Sequence, residues 1–145
     1  MVAIFPQINA TMAKLSEHFD ESEFACPHCG VAKVDPRLVD ALEVLRTLAG
    51  APVRINSGYR CPDHNKAVGG APKSQHAEGT AADIRIAGKG VLESFELALL
   101  VKDFREGGIG LYDTGFLHVD VRNGRARWAR IDGKYQPQDK LLRLR

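Results

Sequence analysis

The chain has 145 residues, of which 44% are hydrophobic and 26% charged, and its formal net charge is +2. This length suits one domain with a single buried core, and the composition is that of an ordinary globular protein. So weak a charge is not the footprint of a nucleic-acid-binding protein, and no apolar stretch approaches the roughly 18 residues that cross a membrane. We therefore expect a monomer that neither binds nucleic acid nor inserts into a membrane.

The two ends of the sequence differ from its middle. Residues 1–14 are predicted to be a lead-in segment, residues 15–135 the folded domain and residues 136–145 a basic C-terminal tail. Residues 1–13 lack a positively charged start and a long apolar run, so we expect no secretory signal peptide there. Basic residues near the C-terminus predict either a solvated surface or a patch for an anionic substrate. They are Arg122, Arg125, Arg127, Arg130, Lys134, Lys140, Arg143 and Arg145.

The first half of the domain predicts one long helix and one strand. Asp35 and Pro36 are suited to the N-cap and the first helical position, and leucines then recur at helical spacing until Gly50. Alternation over residues 53–57 predicts a strand. Residues 61–79 are rich in Pro, Gly, Asn and His, which predicts a loop with one helical turn at residues 63–68.

The second half predicts a helix over residues 91–105 and several short strands. The strands are expected at residues 81–86, 109–111, 116–121, 127–131 and 134–135. Asp132-Gly133 is a hairpin turn signal between the last two. The predicted fold class is α+β, with a small antiparallel sheet and helices packed on one side.

Three side chains have the donor types of a hydrolytic zinc site, which keeps one coordination position open for water. His76 and Asp83 are joined by a stretch of small residues that lets the chain turn tightly, and His118 lies on a later predicted strand. Asp120 shares the face of His118, because strand side chains repeat every two residues. On spacing alone the signal is weak, since a lone histidine is more often a surface or core residue.

Three ordered motifs give these residues a context. They are Ser57-Gly58-Tyr59-Arg60 with Asn65, then Ser74-Gln75-His76-Ala77-Glu78-Gly79-Thr80-Ala81-Ala82-Asp83, then Gly110-Leu111-Tyr112 with Phe116-Leu117-His118-Val119-Asp120. Together they resemble the motifs of the zinc D-alanyl-D-alanine metallopeptidases and their phage endolysin relatives, which share a hedgehog-like zinc-binding fold. The resemblance covers about residues 15–122.

The resemblance implies a catalytic domain with one zinc ion held by His76, Asp83 and His118. It also implies that Arg60 binds a substrate carboxylate or carbonyl oxygen, for which its forked guanidinium is suited. Ser74 is expected to hydrogen-bond the substrate or to orient its loop. The alternatives are a structural salt bridge for Arg60 and a simple turn-forming role for Ser74.

The general base is harder to place. Members of the family carry an acidic residue close before the last histidine ligand, whereas Thr114-Gly115-Phe116-Leu117 precedes His118 here. Asp120 is the first candidate because it shares the face of His118, and Asp113 in the preceding turn is the second. Asp120 is alternatively a residue that holds the ligand histidine in place.

The three cysteines, Cys26, Cys29 and Cys61, form an odd count, which argues against a framework of disulfides alone. Cys26-x-x-Cys29 is half of a zinc knuckle, and Cys61 with His28 or His64 would complete a second, structural zinc site. The alternatives are small buried thiols and a redox pair.

The sequence therefore predicts zinc-dependent hydrolysis of a peptide bond in the stem peptides of bacterial peptidoglycan. The resemblance implies either a D-Ala-D-Ala carboxypeptidase or an L-Ala-D-Glu endopeptidase. The expected lack of a signal peptide favours a phage or prophage lysin that is made in the cytoplasm and then released to the wall. The rival hypothesis is an inactive zinc-containing module of the same fold that binds the wall or serves in phage assembly.

Overall fold

The computed structural model describes residues 3–5 and 13–137. Its strands are β1 (Ala3–Phe5), β2 (Ala32–Val34), β3 (Val53–Ser57), β4 (Ala81–Ile86), β5 (Gly108–Tyr112), β6 (Leu117–Asp120), β7 (Ala126–Ile131) and β8 (Lys134–Gln136). Its α-helices are α1 (Pro36–Ala49), α2 (Pro62–Ala67), α3 (Gln75–Glu78), α4 (Val91–Ala98) and α5 (Lys102–Arg105). A single turn of 3-10 helix spans Glu21–Phe24.

Six of these strands form one sheet in the order β3-β4-β6-β5-β7-β8, and β1 and β2 form a separate two-stranded ladder. Neighbours in the large sheet are antiparallel, except that β5 and β7 run parallel. Helices α4 and α5 pack on the central strands, and α1 packs on both of these helices. The predicted α+β class is therefore confirmed, with one parallel pair added to the antiparallel sheet.

The two faces of the large sheet differ in chemistry because strand side chains alternate. One face carries aliphatic side chains that are buried in the core. They are Ala82, Ile84, Ile109, Leu111, Leu117 and Val119. Burial of each larger aliphatic side chain contributes about 1.5–3 kcal/mol to stability. The intervening residues, among them Asp83, His118 and Asp120, therefore project from the opposite face.

Helix α1 confirms the end signals in its sequence. Asp35 Oδ1 accepts a hydrogen bond from the backbone N–H of Arg37 at 2.9 Å, and Asp35 Oδ2 accepts one from the Arg37 guanidinium at 2.9 Å. Gly50 ends the helix in a left-handed conformation with a φ of 61°. The helix between these residues buries Leu38 and Leu42 in the core.

The prediction of a single helix over residues 91–105 is wrong. Helix α4 ends at Ala98 and helix α5 begins at Lys102, and Val101 between them has extended backbone with a φ of −94° and a ψ of 114°. Residues 97–101 are all apolar, so their spacing does not define one buried face. The break buries Val101 together with Phe104 and leaves Leu100 exposed.

The predicted loop at residues 61–79 contains two short helices. Helix α2 corresponds to the helical turn that was predicted at residues 63–68. Helix α3 was not predicted, because four residues are too few for an apolar period to show. Its N-cap, Ser74, was the available signal.

Two strand pairings lie near the ends of the domain, β1 with β2 and β7 with β8. The backbone of β1 lies within the predicted lead-in and pairs antiparallel with β2. The hairpin turn at Asp132-Gly133 is confirmed, since both residues have positive φ and β7 pairs with β8. Of the predicted basic tail, residues 138–145 lie outside the described residues. In the described part of the chain, no helix has both the length and the apolar character needed to cross a membrane.

Candidate metal centre

Three donor side chains meet on the face of the sheet that points away from the core. Asp83 on β4 and His118 on β6 are direct cross-strand partners. Asp83 Oδ1 lies 3.1 Å from His76 Nε2 and 3.1 Å from His118 Nδ1. One donor atom from each of the three residues lies within 4.8 Å of the other two. The structure thus brings together the three side chains that the sequence predicted as ligands.

His76 is held by the short helix α3. Ser74 Oγ accepts a hydrogen bond from the backbone N–H of His76 at 3.1 Å, and Gly79 ends the helix with a φ of 76°. His76 Nδ1 lies 2.8 Å from the carbonyl oxygen of Gly58. Because a carbonyl only accepts, Nδ1 carries the proton, and Nε2 is left to face Asp83.

His118 is held from behind by Asp120. His118 Nε2 lies 2.7 Å from Asp120 Oδ2, while Nδ1 of the same ring faces Asp83. Asp120 is fully buried, and its carboxylate also accepts from the backbone N–H of Gly108 at 2.9 Å and from Arg122 Nη2 at 2.7 Å. The ring of His118 therefore separates Asp120 from the donor cluster.

Hydrogen bonds keep both carboxyl groups ionised. Burial alone would raise the pKa of Asp83, but hydrogen bonds with His118 and His76 outweigh it and hold that pKa well below its usual range. Burial likewise opposes ionisation of Asp120, and hydrogen bonds with His118 and Arg122 lower its pKa despite this. Both groups are carboxylates at neutral pH, the form that binds a metal or accepts from an imidazole.

Two glycines of β5 leave the space that this arrangement needs. A Cβ atom on Gly108 would lie 2.2 Å from Asp120 Oδ2, and one on Gly110 would lie 2.4 Å from the indole ring of Trp128. Both distances are far inside van der Waals contact. In the sequence Gly108-Ile109-Gly110, Ile109 is therefore buried on the core face, and the two glycines have no side chain on the opposite face, where Asp120 and Trp128 lie.

The donor cluster opens into a cleft of about 510 Å³. Its lining includes four cationic side chains, Arg60, Lys73, Arg122 and Arg130. Aromatic side chains also line it, namely Tyr112, Phe116, Trp128 and Tyr135. Among the described residues that line the cleft, Asp83 is the single acid. The cleft is therefore electropositive around the donor cluster.

The model of the Peptidase M15 family matches residues 8–120, well over half of the chain. The chain belongs to the Peptidase M15 family. It is also 34% identical over 100 residues to a "Probable peptidoglycan L,D-endopeptidase MepK" from Haemophilus influenzae, a match that covers 63% of this chain and 52% of that protein. The chain thus spans about half the length of the curated relative that it matches.

This M15 chain places Arg60 and Ser74 at the cleft. Arg60 Nη2 donates to Ser74 Oγ at 3.4 Å, and Arg60 Nε is buried with no hydrogen-bond partner among the described residues. Arg60 therefore has a guanidinium N–H that the described residues leave without a hydrogen bond. Ser74 caps α3, so it orients the loop that carries His76, while a contact from Ser74 to the substrate stays a prediction.

Asp113, the second candidate for general base, lies in the turn between β5 and β6 and contacts the neighbouring hairpin. Its Oδ2 accepts a hydrogen bond from the backbone N–H of Asp132 at 2.9 Å. It is not one of the described residues that line the cleft. Asp113 and Asp120 are therefore both kept from the donor side of His118, and the structure does not bring either acid to the cleft of this M15 chain.

Tyr112 and Trp128 at the cleft were not assigned a role from the sequence, and Arg122 was named there as part of the basic cluster. Trp128 Nε1 donates to Tyr112 Oη at 3.2 Å, and the guanidinium of Arg122 lies 5.4 Å from the centre of the Trp128 ring. Burial raises the pKa of Tyr112, so its hydroxyl stays protonated at neutral pH. Strand alternation alone could not relate Trp128 to Tyr112, because their proximity depends on the parallel pairing of β5 with β7.

Proposed function

We propose that this protein is a zinc-dependent peptidase that hydrolyses a peptide bond in the stem peptides of bacterial peptidoglycan. The observation that carries the proposal is the convergence of His76, Asp83 and His118 within an electropositive cleft. Two imidazoles and one carboxylate form a typical catalytic zinc set, which leaves a position for water. Membership in the M15 family and the similarity to a probable peptidoglycan L,D-endopeptidase support the same function.

The residues of the cluster fit a zinc ion. Each histidine turns one ring nitrogen to Asp83, while its other nitrogen is engaged by the Gly58 carbonyl or by Asp120. Such outer contacts fix the orientation and tautomer of ligand histidines. When bound, zinc polarises a carbonyl group and lowers the pKa of a coordinated water to about 7.

Asp120 acts in this proposal as a positioning residue rather than as the general base. Its oxygens are engaged by Gly108, Arg122 and His118, and the His118 ring stands between it and the cleft. A carboxylate on the far side of a ligand imidazole orients the ring and raises its basicity. Of the two roles that the sequence left open for Asp120, the geometry favours this one.

The cationic lining suits an anionic peptide. Stem peptides carry free carboxylates, and a guanidinium can donate two parallel hydrogen bonds to one carboxylate. Arg60 lines the cleft beside Ser74, so we assign its guanidinium to an oxygen of the substrate near the bond that is cut. The protonated hydroxyl of Tyr112 is a second donor at the cleft.

The bond that we propose is an L,D bond such as L-Ala-D-Glu, which makes the protein an endopeptidase. Arg60 and Lys73 line the cleft from the segment between β3 and α3, and Arg122 and Arg130 line it from the segment after β6 and from β7. Cations from separate segments suit a peptide that carries more than one carboxylate, and the similarity to a probable L,D-endopeptidase supports this choice of bond. A carboxypeptidase needs one carboxylate pocket beside the metal.

Mass spectrometry of purified peptidoglycan after digestion with the zinc-loaded protein tests this function. We expect new fragments that end at an L,D bond, no fragments after chelation, and their return when zinc is added back. His76→Ala is the matched inactive variant. Loss of terminal D-Ala alone would identify a carboxypeptidase. Zinc-loaded protein that binds the wall without cutting it would show a binding module.

A further inference from the structure

A second donor cluster, formed by Cys26, Cys29 and Cys61, lies apart from the described lining of the cleft. The three sulfur atoms lie within 4.8 Å of one another, and all three thiols are free. Sulfurs bound to one zinc at about 2.3 Å stand about 3.8 Å apart in a tetrahedral site. The cluster therefore has the dimensions of ligands gathered around one ion.

The first two cysteines lie on a tight turn. Cys26 N–H donates to the carbonyl of Val31 at 2.8 Å, and Gly30 N–H donates to the carbonyl of Cys26 at 2.8 Å. Gly30 has a φ of 77°, a left-handed conformation that glycine adopts without strain. The turn brings Cys29 back beside Cys26, as in a metal-binding knuckle with the Cys-x-x-Cys spacing.

The third cysteine comes from the start of α2. Cys61 Sγ accepts from the backbone N–H of His64 at 3.4 Å, and the N–H of Cys61 donates to Cys26 Sγ at 3.4 Å. Backbone donors directed at sulfur suit thiolate ligands, the form in which cysteine binds a metal. The fold thus brings two distant parts of the chain together through sulfur.

We propose that Cys26, Cys29 and Cys61 bind a structural zinc ion and that His28 is its fourth ligand. His28 Nδ1 lies 3.4 Å from Cys61 Sγ, and the His64 ring stacks on His28 with their centres 6.2 Å apart. Three thiolates and one imidazole form a closed tetrahedral set, with no position left for water. Sulfur donors select zinc over calcium or magnesium, which prefer oxygen.

This ion positions the catalytic cleft through the backbone that precedes Cys61. The carbonyl of Gly58 holds His76 Nδ1 at 2.8 Å, and the backbone N–H of Arg60 donates to the His76 carbonyl at 3.2 Å. A Cβ atom on Gly58 would lie 2.6 Å from the Cα atom of Phe24, so the two backbones are in direct contact. A metal on the knuckle therefore fastens the segment that orients His76 and carries Arg60.

Metal content of the full chain tests the proposal, with three proteins compared. Wild type should hold a second equivalent of zinc in addition to the one at His76. Cys29→Ser should lose one equivalent and keep the other, and His76→Ala should do the reverse. Cys29 is exposed, so serine at this position disturbs packing least. After cobalt(II) replacement, wild type and His76→Ala should show thiolate-to-cobalt charge-transfer absorption, which Cys29→Ser should lack.

Thiol alkylation of wild type gives a second readout that needs no variant. The three thiols should react slowly until a chelator removes the metal, and rapidly afterwards. A single zinc equivalent that Cys29→Ser leaves unchanged would overturn the site, as would thiols that react equally fast with and without chelator.

The fourth ligand is tested by His28→Ala against His64→Ala. Faster release of the cysteine-bound metal from His28→Ala supports the assignment, and faster release from His64→Ala alone shows that His28 is the wrong histidine. These experiments measure metal and thiols rather than hydrolysis. The thiol alkylation and the loss of cobalt–thiolate absorption in Cys29→Ser do not depend on a metal at His76, so a failure of the peptidase proposal would leave these two results unchanged.

Discussion

The two donor clusters contact opposite ends of the backbone segment from Gly58 to Cys61, and the chemistry of their donors differs. The nitrogen and oxygen cluster faces a cleft of about 510 Å³ and draws on the Gly58 carbonyl for support. The sulfur cluster includes Cys61, three residues later, together with Cys26 and Cys29 of the knuckle. Three protein ligands leave a fourth coordination position for a reacting water, whereas three thiolates and an imidazole fill all four. The comparison teaches that the number of protein ligands separates the cluster proposed to react from the cluster proposed to hold the chain in place.

The largest effect should come from removing a ligand of the cleft cluster. His118→Ala should abolish hydrolysis and lose the zinc equivalent of the cleft, while the cysteine-bound equivalent remains. Zinc analysis and a peptidoglycan digestion assay measure both. His18→Ala is the matched control, because His18 pairs with Glu43, belongs to neither cluster and should behave as wild type. A zinc content equal to that of wild type in His118→Ala would break the distinction between the clusters.

The next largest effect should come from a substitution at Arg60, which lies in the segment between the two clusters. Arg60→Lys keeps the charge but loses the planar fork, so kcat should fall by about 10²- to 10³-fold, the usual loss when one transition-state donor is removed. The zinc content and the melting temperature should not change. Arg125→Lys, on the exposed loop before β7, is the control. If kcat is unchanged in Arg60→Lys, the residue has a structural role.

Asp120→Asn separates a positioning residue from a general base. A positioning role predicts zinc affinity weakened by about 10- to 100-fold, with activity restored by excess zinc. A general base would instead lose about 10²- to 10⁴-fold in rate at saturating zinc. Rates measured across a zinc titration distinguish the two. Asp113→Asn, in the turn that contacts Asp132, should be nearly normal throughout.

The smallest effect is on stability alone. Asp35→Ala removes the N-cap of α1 and should lower the free energy of unfolding by about 0.5–2 kcal/mol while both metal equivalents remain. Burial alone would raise the pKa of Asp35, but hydrogen bonds with Arg37 lower it. The contribution of Asp35 is therefore present above its unfolded-state pKa of about 3.9 and is lost as the pH falls through the lower folded-state value. Denaturant unfolding of wild type and variant should converge in acid; a gap that persists there would contradict this.

The sequence predicted the members of the cleft cluster, because His76, Asp83 and His118 have suitable donor types and lie in motifs that resemble those of a zinc peptidase family. Strand alternation placed Asp120 on the same face as His118. It could not show that the His118 ring stands between Asp120 and the cleft, since this depends on which ring nitrogen meets Asp83. Asp113 was considered because it precedes His118 in sequence, but its turn contacts the β7–β8 hairpin, which is a tertiary contact.

Two other features depend on tertiary packing, which the spacing of residues along one sequence does not reveal. The break between α4 and α5 falls in an all-apolar stretch, where no period marks the buried face. The sulfur cluster was left open in the sequence because Cys61 is remote from the Cys26 knuckle. The contact of Phe24 with Gly58 and the hydrogen bond from Cys61 N–H to Cys26 Sγ bring them together.

Gly108 and Gly110 of β5 restrict which amino-acid substitutions this strand can accept during evolution. Alanine at position 108 would place a methyl group against the Asp120 carboxylate, and at position 110 against the Trp128 indole. Ile109 between them would accept another aliphatic residue of similar volume at modest cost. If positions 108, 109 and 110 were randomised and selected for function, survivors should carry various aliphatic residues at position 109 and glycine at positions 108 and 110.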